Sequence, residues 1–116
     1  MRRICLALPD TSADPNPNNF RFFRDGRQYV WSWMQRLDPK KGRVASREVV
    51  AVRTAGELDK QDLLSLDPEI FFTEPHYDAF PAVLVRLAAI DEGLLIEVIR
   101  RAWESRAKPV RTRSRR

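Results

Sequence analysis

The sequence predicts an α+β fold in which one antiparallel β-sheet has helices packed on one face, with the element order α-β-β-β-α-β-α. Three observations predict this fold. Two aromatic-rich runs flank an Asp25-Gly26 pair, as in a tight β-hairpin. Residues 29–34 alternate large aromatic and smaller side chains, which is the period of a strand. Residues 94–103 repeat apolar side chains at helical spacing, which predicts a helix that covers one face of the sheet.

The chain is expected to begin with a short helix over residues 2–8. This helix would place Ile4 and Cys5 on its apolar face, and it would end before Pro9. Residues 10–19 hold two prolines, three asparagines and two aspartates, which is typical of a loop.

Three strands are expected next, at residues 20–24, 27–35 and 47–54. Because side chains alternate along a strand, Tyr29, Trp31 and Trp33 would lie on one face of the sheet. The last helix needs large apolar partners, so we expect these three aromatic side chains to pack beneath it.

The second half of the chain is expected to hold a helix at 57–66, a strand at 82–89 and a final helix. The first of these helices would end before Asp67-Pro68, and the apolar run at Phe71 is a candidate for one more short strand. Asp91 is placed to cap the final helix. The apolar stripe of that helix consists of Leu94, Leu95, Val98, Ile99, Ala102 and Trp103.

Charge is distributed unevenly along the 116 residues, which hold 21 Lys and Arg and 16 Asp and Glu, a net charge of +5. Residues 1–54 carry a net +6, residues 55–105 a net −7 and residues 106–116 a net +6. We expect one domain over residues 1–107 and a basic, flexible tail over residues 108–116. The tail is interpreted as a solvated end, with polyanion binding as the alternative, whereas the basic and acidic parts of the domain predict a dipolar surface.

Few residues have the chemistry for catalysis or metal binding. Cys5 is the only cysteine and His76 the only histidine, so neither an intramolecular disulfide nor a multi-cysteine metal site is expected. Cys5 is interpreted as a buried structural thiol. The sequence has no phosphate-binding loop and no nucleophile motif. We therefore expect no enzyme, no cofactor and no metal and, since no signal or membrane-spanning segment is recognisable, a cytoplasmic protein.

Basic and aromatic residues are interleaved between residues 20 and 47. One interpretation is a hairpin whose cations contact phosphates while exposed aromatic side chains stack on bases or wedge between them. The other is a sheet with buried aromatic side chains and solvated arginines, which we favour for most of the aromatics; the arginines could still bind nucleic acid. The candidate nucleic-acid-binding residues are Arg21, Arg24, Arg27, Arg36, Lys40, Lys41, Arg43 and Arg47.

A second candidate site lies between Pro75 and Pro81. In a functional interpretation, His76 and Tyr77 would line a groove with Trp31 and contact a ligand or a partner. In the structural interpretation, which we favour, the two prolines bracket a rigid turn in which His76 and Asp78 form hydrogen bonds to the backbone and Tyr77 packs.

The segment FFTEPHYDAFPAVLVRL at residues 71–87 resembles the signature of the MmcQ/YjbR family. RICLALP at residues 3–9 is similar to the end of that family's first helix, and LLSLDPE at residues 63–69 to its Leu-Leu-x-x-Asp-Pro stretch. The resemblance covers residues 2–107 and leaves out the tail. It implies a YjbR-like, double-wing fold similar to the frataxin-like and secretion-chaperone-like arrangements, no known enzymatic activity, and DNA binding by fold analogy. Many members carry a Gly-Thr-Pro-like turn where this chain has PNPNN at residues 15–19.

These observations favour a non-enzymatic DNA-binding protein whose basic hairpin and tail contact phosphates with salt-sensitive affinity. The alternative is a protein-interaction or chaperone-like adaptor that uses an exposed sheet face or the acidic part of the domain. A small-molecule pocket around His76, Tyr77 and Trp31 is the third hypothesis. The expected partners are therefore DNA or a protein, without membrane association, and the expected state is a monomer or a weak homodimer.

Overall fold

The computed structural model describes residues 2–16, 20–35, 40 and 42–107. These residues contain three α-helices, six β-strands and one 3-10 turn. In chain order they are α1 (Arg2–Leu6), β1 (Thr11–Ala13), β2 (Arg21–Arg24), β3 (Arg27–Gln35), β4 (Val44–Arg53), α2 (Glu57–Leu66), β5 (Phe71–Phe72), the 3-10 turn (Pro75–Tyr77), β6 (Ala82–Arg86) and α3 (Glu92–Ser105). The tail predicted over residues 108–116 lies outside the described residues.

The strands form one antiparallel sheet in the order β1-β2-β3-β4-β6-β5. All three helices contribute side chains to a single core cluster with the sheet. The predicted α+β fold class is therefore confirmed. The short strand anticipated at Phe71 is also present, because Phe71 and Phe72 pair with Val85 and Leu84 of β6.

The prediction of a loop over residues 10–19 is wrong at β1. Ser12 lies opposite Phe23 of β2, and the Asp14 amide donates a hydrogen bond to the Arg21 carbonyl at 3.0 Å. A three-residue edge strand is too short to show the alternation of a strand in its sequence, and it forms here because β2 offers backbone partners. The element order is therefore α-β-β-β-β-α-β-β-α.

One side of the sheet, here called the helix face, carries the apolar side chains on which the helices pack. The register places Val30, Val52 and Val83 side by side, and all three are buried. The predicted cap of α3 is confirmed, because an Asp91 carboxylate oxygen accepts a hydrogen bond from the Leu94 amide at 2.8 Å. The buried stripe of α3 consists of Leu95, Val98, Ile99 and Ala102.

Cys5 lies on α1 and is buried in this core, as predicted. Burial raises the pKa of its thiol to about 12. A thiol with so high a pKa is protonated and unreactive at neutral pH. The helix itself is shorter than predicted, since it ends at Leu6.

The hairpin turn predicted at Asp25-Gly26 is confirmed. Asp25 has a φ of 49° and Gly26 a φ of 79°, so both residues adopt the left-handed region that a two-residue hairpin turn requires. Asp25 and Gly26 connect β2 to β3 directly. The turn brings the first residue of β3, Arg27, opposite Arg24.

The aromatic side chains of β3 do not share one face, which corrects the prediction for Tyr29, Trp31 and Trp33. The pairing between β2 and β3 skips Tyr29, which is the extra residue of a β-bulge. Tyr29 is fully buried with the helix-face core, where its hydroxyl donates a hydrogen bond to the Cys5 carbonyl at 3.4 Å. Trp31 pairs with Ala51 of β4 and, like Trp33, faces away from the helices.

Candidate nucleic-acid interface

The side of the sheet opposite the helices, here called the open face, carries aromatic and arginine side chains. Its members are Trp31, Trp33, Arg53, Phe72 and Arg86. The two tryptophans and Phe72 are half-buried. The segment over residues 74–81, which includes the 3-10 turn, covers part of this face.

The covering segment contacts the open face through aromatic rings. The rings of Trp31 and Phe80 meet edge to face with centroids 6.1 Å apart, and Tyr77 meets Phe80 at the same distance. The indole nitrogen of Trp31 donates a hydrogen bond to the Tyr77 hydroxyl at 3.2 Å. The structural interpretation of this segment is therefore confirmed for Tyr77, which packs.

Arginine side chains lie over the aromatic rings of the open face. The Arg86 guanidinium carbon lies 3.9 Å from the centroid of the Phe72 ring, and the Arg53 guanidinium carbon lies 5.2 Å from the centroid of Phe80. Arg86 also donates hydrogen bonds to the carbonyls of Pro68 and Glu69, each at 3.3 Å. A cation over an aromatic face is held there by the ring quadrupole, so the open face alternates cations and π surfaces.

A groove of about 220 Å³ opens between the end of β3 and the 3-10 turn. Residues from both predicted sites line this groove. Arg43 is one of the predicted nucleic-acid-binding residues, and His76 and Tyr77 belong to the predicted ligand site. Trp31 lies behind the groove and contacts it through Tyr77. The lining residues are Trp33, Met34, Arg43, Glu74, His76 and Tyr77.

Two side chains of opposite charge face this groove, and each is held by a backbone hydrogen bond. One carboxylate oxygen of Glu74 accepts a hydrogen bond from the His76 amide at 2.7 Å, so Glu74 caps the 3-10 turn. A guanidinium nitrogen of Arg43 donates to the Met34 carbonyl at 3.1 Å. The groove therefore combines aromatic walls with one fixed anion and one fixed cation.

The groove wall is held from the helix side by Lys60 of α2. This lysine is only 1% exposed, and its ammonium group donates hydrogen bonds to the backbone carbonyls of Tyr77, Asp78 and Phe80. The distances to the Asp78 and Phe80 carbonyls are 3.1 and 2.7 Å. A buried charge is stable only when it is fully hydrogen-bonded, and these three carbonyls supply that partner set.

All three predicted arginines of the β2–β3 hairpin have contacts within the chain, and that of Arg27 is a 3.5 Å hydrogen bond donated to the Ala107 carbonyl. Arg21 forms an ion pair with the buried Asp14 carboxylate. The Arg24 guanidinium lies 3.5 Å from the centroid of the Trp103 ring and donates to the Trp103 carbonyl at 3.0 Å. We therefore assign structural roles to Arg21 and Arg24, and their role as phosphate contacts stays a prediction.

The remaining predicted cations lie at two separate ends of the sheet. Arg27 begins β3, whereas Arg43 lies beyond its other end, about 26 Å away along the strand. Lys40 is exposed, and Arg47 belongs to β4. Arg36 and Lys41 lie outside the described residues. Arg27 and Arg43, which the structure describes, thus do not lie on one continuous surface.

The predicted Arg27 acts on Arg106 together with Arg53, an association that sequence reasoning did not find. We call Arg27, Arg53 and Arg106 the C-terminal arginine cluster. Burial, together with the charges of Arg53 and Arg27, lowers the pKa of Arg106. None of the three forms an ion pair with a carboxylate in the part of the chain that the structure describes. Only the fold brings these residues together, so no local sequence signal could have found them.

Several mycobacterial proteins are similar to this chain. Uncharacterized protein Rv2570 of Mycobacterium tuberculosis (strain ATCC 25618 / H37Rv) is 45% identical over 109 residues, which cover 87% of this chain and 81% of the relative. Uncharacterized protein MT2646 of Mycobacterium tuberculosis (strain CDC 1551 / Oshkosh) and Uncharacterized protein Mb2600 of Mycobacterium bovis match to the same extent. The chain belongs to the family of these proteins. No protein-family model matches this chain, and no solved structure matches it.

The described residues were also considered for a membrane-spanning helix and a metal site. No helix among them is long and apolar enough to cross a membrane. The same residues contain no group of three or more His, Cys, Asp or Glu side chains that could hold a metal ion.

Proposed function

We propose that this protein is a non-enzymatic nucleic-acid-binding protein of the MmcQ/YjbR kind that binds through the open face of its sheet. One observation carries the proposal: Trp31 and Trp33 lie half-buried on the face opposite the helices, with arginines over the neighbouring aromatic rings. Partly accessible π surfaces interleaved with guanidinium groups suit stacked bases and phosphates. The cytoplasmic location stays a prediction.

The contacts of the basic residues indicate which of them would bind the phosphate backbone. Arg43 faces the groove, and the C-terminal arginine cluster lies without a carboxylate partner at the other end of the described sheet. In the proposed complex, these residues position the phosphate backbone. Residues 108–116 contain basic but no acidic side chains and would add a salt-sensitive contribution to affinity.

Fluorescence anisotropy with the full chain tests this function. The probes are a labelled single strand of about 20 nucleotides and the corresponding duplex, titrated between about 50 and about 200 mM salt. We expect binding that weakens as salt rises. The double variant R27Q/R53Q should flatten the dependence of log affinity on log salt, whereas R100Q, which removes an arginine from the outer side of α3, should leave it unchanged.

A second full-length variant separates the folded domain from the tail. It replaces Lys108, Arg111, Arg113, Arg115 and Arg116 by glutamine. We expect reduced but measurable binding, because the folded domain supplies the remaining contacts. Loss of all binding in this variant, or no binding by the unmodified chain at the lowest salt, would contradict the proposed function.

A second candidate function, protein interaction, is favoured by two exposed leucines on α2. Leu58 is 83% exposed and Leu66 is 59% exposed, although both are large apolar side chains. Such residues can form the centre of a protein interface. Light scattering during size-exclusion chromatography would support this candidate if the chain were a dimer that the L58S/L66S variant converts to a monomer.

A further inference from the structure

The size of the groove restricts its occupant. Its volume of about 220 Å³ is below the roughly 300 to 1,000 Å³ of pockets that enclose drug-sized molecules. A single planar ring system is therefore a better match than a large metabolite. A flat occupant would also contact the flat side chains of Trp33 and Tyr77 that line the groove.

The aromatic walls are held in place before any ligand arrives. Trp33 meets Phe72 edge to face, with ring centroids 6.1 Å apart. Tyr77 accepts the indole hydrogen bond of Trp31, and its backbone carbonyl accepts one from buried Lys60. Pre-organised side chains lose little conformational freedom on binding, so a stacked ring would gain most of its contact energy.

The charges of the groove distinguish a base from a bare phosphate. The Glu74 carboxylate repels an anion, but it accepts hydrogen bonds well. One of its oxygens accepts from the His76 amide, and the remaining acceptor positions of a carboxylate suffice for further N–H donors. Arg43 lines the same groove, where it can attract a phosphate of the nucleotide that carries the base.

Base chemistry then narrows the ligand. A carboxylate can accept two adjacent N–H groups, and guanine presents such a pair on its Watson–Crick edge as N1–H and the N2 amino group. The Watson–Crick edge is occupied in a duplex and exposed in a single strand. Stacking between side chains likewise requires a base that has left its own stack.

We propose that this groove binds one guanine base of a single-stranded nucleic acid, with Glu74 accepting from the base edge, Trp33 and Tyr77 contacting its ring, and Arg43 contacting the adjacent phosphate. The inference rests on the proposed function and adds to it a strand state and a base preference. The C-terminal arginine cluster then serves phosphates elsewhere on the strand.

The test measures the affinity of the full chain for labelled single strands of about 12 thymidines, with or without one central guanine. We expect roughly tenfold tighter binding of the strand with guanine. Inosine in place of guanine, which lacks the N2 amino group, should lose most of that preference. A hairpin that hides the same guanine in a base pair should lose it as well.

Two variants with the same change of charge complete the test. E74Q should bind the strands with and without guanine equally, whereas E97Q, on the outer side of α3, should keep the preference. Thermal melting of each variant checks that it is folded. If E74Q unfolds, the comparison of guanine with inosine in the unmodified chain decides the test.

The outcomes separate the two proposals. Salt-sensitive binding without any preference for guanine, or a preference that survives E74Q in the folded protein, overturns the groove inference and leaves the proposed function intact. Absence of binding to every strand overturns the proposed function together with this inference.

Discussion

The ammonium group of Lys60 lies 2.7 Å from the backbone carbonyl oxygen of Phe80, and this contact joins the helix side of the molecule to the open face of the sheet. Lys60 belongs to α2, whose other buried side chain, Leu63, packs in the helix-face core. Phe80 belongs to the segment that covers the open face. The position of the groove wall therefore depends on a residue from the opposite side of the sheet.

Replacing Lys60 by methionine should destabilise the protein. The K60M variant retains the length of the side chain but removes a donor that serves three backbone carbonyls. We expect the free energy of unfolding to fall by about 2 to 4 kcal/mol in urea titrations, because unsatisfied buried polar groups are costly. Q61M makes a similar change at an exposed position on the same helix and should have little effect. Equal stability of K60M and Q61M would argue against this role of Lys60.

Replacing Arg24 by lysine should reduce stability without reducing the positive charge. The planar guanidinium stacks on Trp103 and donates to its carbonyl, and an ammonium group does not reproduce that geometry. We expect a loss of about 1 kcal/mol in the free energy of unfolding. R100K, at an exposed ion pair, is the control and should change it by less than about 0.5 kcal/mol. A direct phosphate contact of Arg24 would instead appear as a flatter salt dependence of affinity in R24Q, which removes the charge.

Tryptophan fluorescence should report binding at the open face. Trp33 lines the groove, whereas Trp103 stacks with Arg24 on the helix side. We expect a single strand to quench emission, W33F to lose most of that quenching and W103F to retain it. W33L, which removes the aromatic ring, should weaken affinity by about 1 to 3 kcal/mol. Quenching that disappears only in W103F would place the nucleic-acid interface on the helix side and contradict binding at the open face.

Stability should fall at alkaline pH because two buried acids have raised pKa values. Burial raises the pKa of Cys5 to about 12, and burial also raises the pKa of Tyr29. Both groups release protons more readily in the unfolded chain, so their contribution is complete below their unfolded pKa values and is lost as pH rises toward the folded ones. Urea titrations between about pH 8 and about pH 11 should show the decrease, at up to about 1.4 kcal/mol per pH unit for each group. C5A should have a shallower decrease, and an identical slope in C5A would exclude a contribution from the thiol.

Features coded by short-range patterns were predictable from the sequence. The turn at Asp25-Gly26, the cap at Asp91 and the buried stripe of α3 each follow from residues a few positions apart. The helix over residues 57–66 was likewise predicted with the correct bounds. Local backbone preferences and apolar spacing determine such elements, and tertiary contacts did not override them here.

Features that depend on distant partners were not predictable. Lys60 reads as one charge on a solvated helix, and only the fold shows that three carbonyls from residues 77–80 surround its ammonium group. Arg24 similarly reads as a surface cation until α3 brings Trp103 beneath it. Part of the candidate site was therefore predictable. His76 and Tyr77 were predicted to line a groove, and Arg43 was predicted separately, but nothing in the sequence showed that Arg43 belongs to that groove.

The bulge at Tyr29 also fixes how the chain tolerates changes in length. The bulge adds one residue to β3, so the alternation of side chains between the two faces shifts at Tyr29. Arg27 therefore reaches the end of α3, whereas Trp31, four residues later, faces away from the helices. Inserting one residue between Arg27 and Val30 would exchange these sides on one part of the strand. Deleting Tyr29 would instead leave Gln28 and Val30 opposite their present partners, and its cost would be the loss of a buried ring from the core.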